Sequence, residues 1–154
     1  MAKTRRTADA SPSWVQVCRD PRAFEAEVPS TPIVDARDAW KCLRDRVAKE
    51  DQEVFYVIVL DVRSRVRTIS EVHRGTINRS IVHPREVFRL ACAFGAHSII
   101  AAHNHPAGSL TPSPSDIELT KRLVEASRVL DIPLQDHLIV TGNGYYSFAE
   151  SGKL

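Results

Sequence analysis

Cysteine is scarce in this chain: three in 154 residues, Cys18, Cys42 and Cys92, odd in number, widely spaced and never in a Cys-x-x-Cys pair. That excludes a disulfide framework and a thiolate zinc site, and it fits reduced thiols in a cytosol, with Cys92 expected in the core on a helix face. Charge of one sign is lacking too. A net charge of +2 is too small to argue for nucleic acid by itself, and the cluster Lys3, Arg5, Arg6 reads as a solvated tail. No apolar run approaches the length that crosses a bilayer, and no signal-peptide core follows Met1. A cytoplasmic protein with no membrane partner is therefore expected. Internal repeats are absent. A chain of this length with 43% hydrophobic and 26% charged residues is expected to be one soluble domain that needs no staple.

Residues 1–32 hold Pro12, Pro21, Pro29 and Pro32 among small and charged residues with little periodicity, and read as a partly ordered lead-in. Trp14, Val15 and Val17 are the residues there able to dock on a body. Asp35 is placed to cap a helix reaching about Lys49, with Ala39, Trp40, Leu43 and Val47 on its apolar face. Glu53 to Leu60 is almost wholly apolar after the glutamate, which predicts a central strand buried on both faces. Asp61 to Ser64 make a turn, and Arg65 to Val72 alternate as a more exposed partner strand. Gly75-Thr76-Ile77-Asn78 is a loop. Pro84 opens a helix to about Phe94, closed by Gly95, with Val87, Leu90, Ala91 and Phe94 buried. A strand over about His97 to Ala102 follows. A helix from Pro114 to Leu130 comes next, with Ile117, Leu123, Val124 and Leu130 on its apolar side. The chain closes with strands over His137 to Val140 and Tyr145 to Phe148 around Gly142-Asn143-Gly144. The sum is an α/β fold: a mixed sheet with helices packed on it, one domain over 33–154.

The chemistry concentrates in His103-Asn104-His105-Pro106-Ala107-Gly108 and Thr111-Pro112-Ser113-Pro114-Ser115-Asp116. Side chains alternate along an extended backbone, so His103 and His105 project to one side. Asp116 starts a helix, where a short loop can return it toward them. Two neutral nitrogens and one carboxylate leave the fourth position of a tetrahedral zinc ion (Zn2+) open to water, as in a catalytic site. The same residues have a plainer reading. Serine at the N-cap, proline at the first helical position and an acid at the third make a capping box, so pattern alone leaves Asp116 either cap or ligand. A Ser113 hydroxyl committed to capping is less free to face a substrate.

Activating water also needs a base. Glu53, Glu71 and Glu86 are the candidates, each with a plain alternative: a strand-end residue in water, an edge-strand residue, and an acid favoured by a helix dipole. Asp136-His137 reads as a turn aspartate and a half-buried histidine, in preference to a pair that orients a ligand histidine.

Glu53, then His103-x-His105, then Ser113-x-x-Asp116 resembles the JAMM motif of JAB/MPN-type metalloproteins. Glu53-Val54-Phe55, Gly75-Thr76-Ile77-Asn78, His83-Pro84-Arg85-Glu86, His103-Asn104-His105-Pro106, Thr111-Pro112-Ser113, Asp136-His137-Leu138-Ile139-Val140 and Ser147-Phe148 are together similar to the RadC-like branch, over about 33–154. The resemblance implies a cytidine-deaminase-like α/β sandwich. It implies zinc on His103, His105 and Asp116, Glu53 as general base and Ser113 at the oxyanion. The implied substrate is a peptide or isopeptide bond.

Longer relatives carry a helix-hairpin-helix module, which residues 1–32 are too short and proline-rich to supply, so this looks like a short form. The other function weighed is a DNA-repair-associated accessory protein with a structural or vestigial metal site. It draws on Arg63, Arg65, Arg67, Arg74 and Arg79, charges that on a hairpin are usually a solvated face.

Overall fold

The computed structural model describes residues 23–24, 32–75 and 82–154. The readings made for Trp14, Val15, Val17, Cys18, the Lys3–Arg6 cluster and most of the Gly75–Asn78 loop fall outside them. Helix α1 (Ala36–Val47) starts where Asp35 accepts the Asp38 backbone N–H at 2.9 Å. That satisfies one donor which a helix start otherwise leaves without a partner. Ala36, Ala39, Leu43 and Val47 form its buried face, and Trp40, half-buried, donates its Nε1–H to the Thr141 carbonyl at 2.8 Å. Burial of a side chain such as Leu43 contributes about 1.5–3 kcal/mol.

Strand β2 (Val54–Leu60) is buried at every position, because it has a strand on each side and helices on both faces. After it, Asp61 Oδ1 accepts the backbone N–H groups of Arg63 and Arg65, which folds the chain back into β3 (Val66–Arg74). Strand β3 is more buried than its alternation predicts. Two register shifts along the β2–β3 ladder break the alternation, and β1 (Ala23–Phe24) pairs with Ile69 and Ser70 on the outer side. Helix α2 (Pro84–Ala93) is followed by β4 (Ser98–Asn104), α3 (Pro114–Leu130), β5 (Leu134–Val140) and β6 (Tyr145–Ser147).

The sheet order is β1-β3-β2-β4-β5-β6, antiparallel except for the β4–β5 pair, whose parallel run requires the α3 crossover. Strand alternation sorts the core into two layers. Tyr56, Ile58, Leu60, Ile100 and Leu138 face α1. Phe55, Val57, Val59, Ile99 and Ala101 face α2 and α3. The fold is thus an α/β sandwich with a mixed sheet, as expected. No helix among the described residues is long and apolar enough to cross a membrane.

Two side-chain expectations fail. Cys92 is exposed, because α2 turns Val87, Phe88, Leu90 and Ala91 inward instead. On α3 the buried stripe is Asp116, Leu119, Thr120, Leu123 and Ser127, while Leu130 is exposed. Asp116 and Thr120 face inward because they belong to the site described next, while Ser127 donates its hydroxyl to the Val124 carbonyl of its own helix.

Candidate metal centre

Strand β4 carries His103 fully buried near its C-terminal end, on the face shared with α3, and His105 stands just beyond it. The β2–β4 register sets Phe55 opposite His103, so Glu53, immediately before β2, arrives beside the histidines from the neighbouring strand. Asp116 is the third residue of α3, whose N-terminus the Pro106–Pro112 loop returns to the end of β4. One donor atom from each of Glu53, His103, His105 and Asp116 lies within 4.8 Å of the others, so the group can hold a metal ion.

The protons in this cluster can be placed by following donors and acceptors. Thr120 Oγ1 donates to the Asp116 carbonyl at 2.6 Å, since a carbonyl only accepts. Thr120 Oγ1 therefore accepts from His137 Nδ1 at 2.7 Å. Burial pushes the His137 imidazole well below its usual pKa, so the ring is neutral and its Nε2 is a lone pair. That lone pair accepts from His103 Nδ1 at 3.0 Å, which leaves the Nε2 of a neutral His103 unprotonated. His105 Nδ1 donates to the Ser109 carbonyl at 3.0 Å and likewise frees its own Nε2.

These two nitrogens are 3.2 Å apart. Asp116 Oδ1 lies 3.3 Å from His103 Nε2, and Asp116 Oδ2 lies 3.4 Å from His105 Nε2. Two ligands each about 2.0–2.1 Å from one tetrahedral zinc stand roughly 3.3–3.4 Å apart. The two nitrogens come close to that spacing, and each has one Asp116 oxygen at it, Oδ1 for His103 and Oδ2 for His105. The electrostatics agree with a cation here. Burial alone would raise the Asp116 carboxyl, but without a metal a proton on either Nε2 turns that imidazole into a donor to it, and His103 and His105 so hold the carboxyl well below the carboxylate range. In that metal-free, protonated form the bond to Asp116 in turn raises His105, so a cation at this point, whether proton or metal, is what the carboxylate favours.

Ser113 and Asp116 do form the capping box. Ser113 Oγ accepts the Asp116 backbone N–H at 3.2 Å, and Asp116 Oδ2 accepts the Ser113 N–H at 2.7 Å. Capping uses Ser113 as an acceptor, so its hydroxyl hydrogen remains available. The other glutamates are engaged elsewhere. Glu86 accepts the His83 backbone N–H at 3.2 Å, as an acid at a helix start does, and Glu71 pairs with Arg74 at 2.8 Å. Arg74 also binds Glu50, so it is not a spare cation for nucleic acid; Arg79 falls outside the described residues.

The reading of His137 as half-buried was wrong: it is wholly buried and hydrogen-bonded to His103. Its neighbour Asp136 is structural, accepting from the His137 and Ala149 backbone N–H groups and from the Ser147 hydroxyl. Two positions bonded into or beside the cluster escaped the sequence, Thr120 and Asn104. Asn104 is buried and bonded to the backbone on both sides of Glu53. A polar side chain on an otherwise apolar strand or helix face was the available signal.

Among known proteins, the chain matches the RadC-like JAB domain over residues 33–153. It is 44% identical over 133 residues to a UPF0758 protein of Symbiobacterium thermophilum, covering 86% of this chain and 57% of that one. It is 47% identical over 112 residues to the UPF0758 protein YkfG of Escherichia coli K12, covering 73% of this chain and 71% of that one. A UPF0758 protein of Finegoldia magna is 52% identical over 93 residues, 60% of this chain and 42% of the relative. The chain spans about half the length of several curated relatives it matches, and their names state no activity. The fold, the donor cluster at the end of β4 and these matches agree, and the chain belongs to the RadC-like JAB domain family.

Proposed function

We propose that this domain is a zinc-dependent hydrolase of amide bonds, a metallopeptidase or isopeptidase. The observation that supports this most is the convergence of two imidazole nitrogens and a buried carboxylate, with a further carboxylate, Glu53, at their rim. His103, His105 and Asp116 hold the metal. Bound zinc would acidify a coordinated water and polarise the scissile carbonyl.

The chain's own residues do the rest. Glu53 takes a proton from the attacking water and hands it to the leaving amine, so one carboxylate serves as base and then acid. Ser113 donates its hydroxyl hydrogen to the developing oxyanion, a donor fixed before the reaction because the helix cap already holds its oxygen. His137 and Thr120 keep His103 in the tautomer that coordinates.

The test combines metal content with cleavage. About one zinc per chain is expected by elemental analysis, lost in His103→Ala and Asp116→Ala. Cleavage of peptide and isopeptide libraries, read by mass spectrometry, should disappear in Glu53→Gln while that variant keeps its metal. A Glu53→Gln protein that cleaves as the parent does would sink the mechanism. A parent that takes up no zinc would sink the metal site.

A further inference from the structure

We infer that Asn104, the residue between the two histidines, positions Glu53 for the proton transfer; the inference rests on the function proposed above. The β2–β4 ladder ends at the Phe55–His103 pair, because the chain after Asn104 leaves the sheet to form the metal loop. Glu53 would then stand on backbone that β4 no longer holds. The Asn104 carboxamide takes over from the ladder at that point. Its Oδ1 accepts the Val54 N–H at 2.8 Å and its Nδ2 donates to the Gln52 carbonyl at 2.9 Å. Those two groups flank Glu53 on either side. From the opposite strand, Gly75 N–H donates to the Glu53 carbonyl at 2.9 Å. The backbone of Glu53 is thereby fixed from both neighbours.

The chemistry selects asparagine. The side chain must donate and accept at once, in a plane, as a peptide group does. Aspartate accepts but cannot donate when ionised, and serine is one group short of spanning both partners. Asn104 is 3% exposed, so water does not compete for either bond. Because its own backbone joins His103 to His105, one residue ties the base to two of the three ligands. A shift of about 1 Å in a catalytic group is enough to lose most of its effect, which is what this clip prevents.

The experiment is a double-mutant cycle read by binding, on full-length protein loaded with Co2+. The probe is acetohydroxamic acid, whose hydroxyl proton passes to a base when its two oxygens coordinate; affinity is read from the cobalt visible spectrum. Glu53→Gln should weaken it by removing the proton acceptor. Asn104→Ala should weaken it about tenfold at unchanged metal affinity, and should add nothing in the Glu53→Gln background. Full additivity would mean that Asn104 only supports the fold, and a fall in metal affinity would mean that it acts on the ligands; either overturns the inference. If Glu53→Gln alone leaves the probe's affinity intact, the base assignment itself fails, whatever the Asn104 variants do. Should Asn104→Ala not fold, Asn104→Asp carries the same cycle, keeping the bond from Val54 and losing the one to Gln52.

Discussion

His137→Leu tests whether the buried imidazole behind His103 controls metal affinity. The substitution keeps an apolar body of similar size between Phe55 and Phe148, whose rings lie 5.5 and 5.0 Å from the imidazole centroid. What it removes is the acceptor for His103 Nδ1–H and the donor to Thr120. His103 is fully buried and has no water to turn to. It must leave an N–H unpaired, or move its proton to Nε2, the nitrogen that would face the metal. An unpaired buried donor costs about 1–3 kcal/mol. Loss of a partner behind a metal histidine typically costs roughly 10- to 100-fold in affinity, or about 1.4–2.8 kcal/mol. Two independent routes give the same size. Competition with a chromophoric zinc chelator should therefore show His137→Leu about 10- to 100-fold weaker than the parent. The metal-free protein should melt lower by roughly 2–4 °C for each kcal/mol lost. A folded His137→Leu protein that binds zinc as tightly as the parent would refute the reasoning, and the β4 backbone with the Phe55 stack would then suffice to orient His103.

Two further outcomes are expected. Ser113→Ala removes the acceptor for the Asp116 N–H and should cost about 1 kcal/mol by urea unfolding, with loss of any cleavage exceeding the loss of metal; equal loss of both would leave Ser113 a cap only. The Glu50 carboxyl is held below its ordinary range, chiefly by its hydrogen bond to Arg74. A carboxyl depressed in the folded state adds stability above its unfolded pKa and loses it as pH falls through the folded one. Arg74→Met should therefore lower stability near neutrality and flatten the decline over about pH 3 to 5, read from urea midpoints. An unchanged slope would show that the pair contributes nothing measurable.

How much of this was legible in the chain depended on whether the signal was local. Helix α3 begins at Pro114 and ends at Leu130 as the sequence indicates, because serine, proline and an acid at a helix start act within one turn. Strand β2 was legible because seven buried positions leave one continuous apolar run. The buried stripe of α3 was not. Apolar periodicity selected Ile117, Val124 and Leu130, whereas burial follows Asp116 and Thr120, polar residues turned inward by partners on another strand. His137 failed for the same reason: its partners stand 17 and 34 residues away, and the packing of α3 brings up Thr120 and the β4–β5 pairing His103, neither of which leaves a local pattern.

The capping and ligand readings of Ser113-x-x-Asp116 looked like rivals in the sequence and are not rivals in the structure. An ionised carboxylate offers roughly four acceptor positions on two oxygens. Asp116 uses one of them for the Ser113 N–H, and the two oxygens still stand 3.3 and 3.4 Å from the two imidazoles. The cap then has a second effect: by fixing the first turn of α3 it fixes the direction from which the carboxylate meets His103 and His105. Thr120, one turn further on, bonds the Asp116 carbonyl and His137 together. The helix start, its first-turn carbonyl and the ligand tautomers are therefore one connected network. A substitution that weakens the cap should disturb the metal site, and one that empties the site should loosen the cap, because each holds the other's geometry.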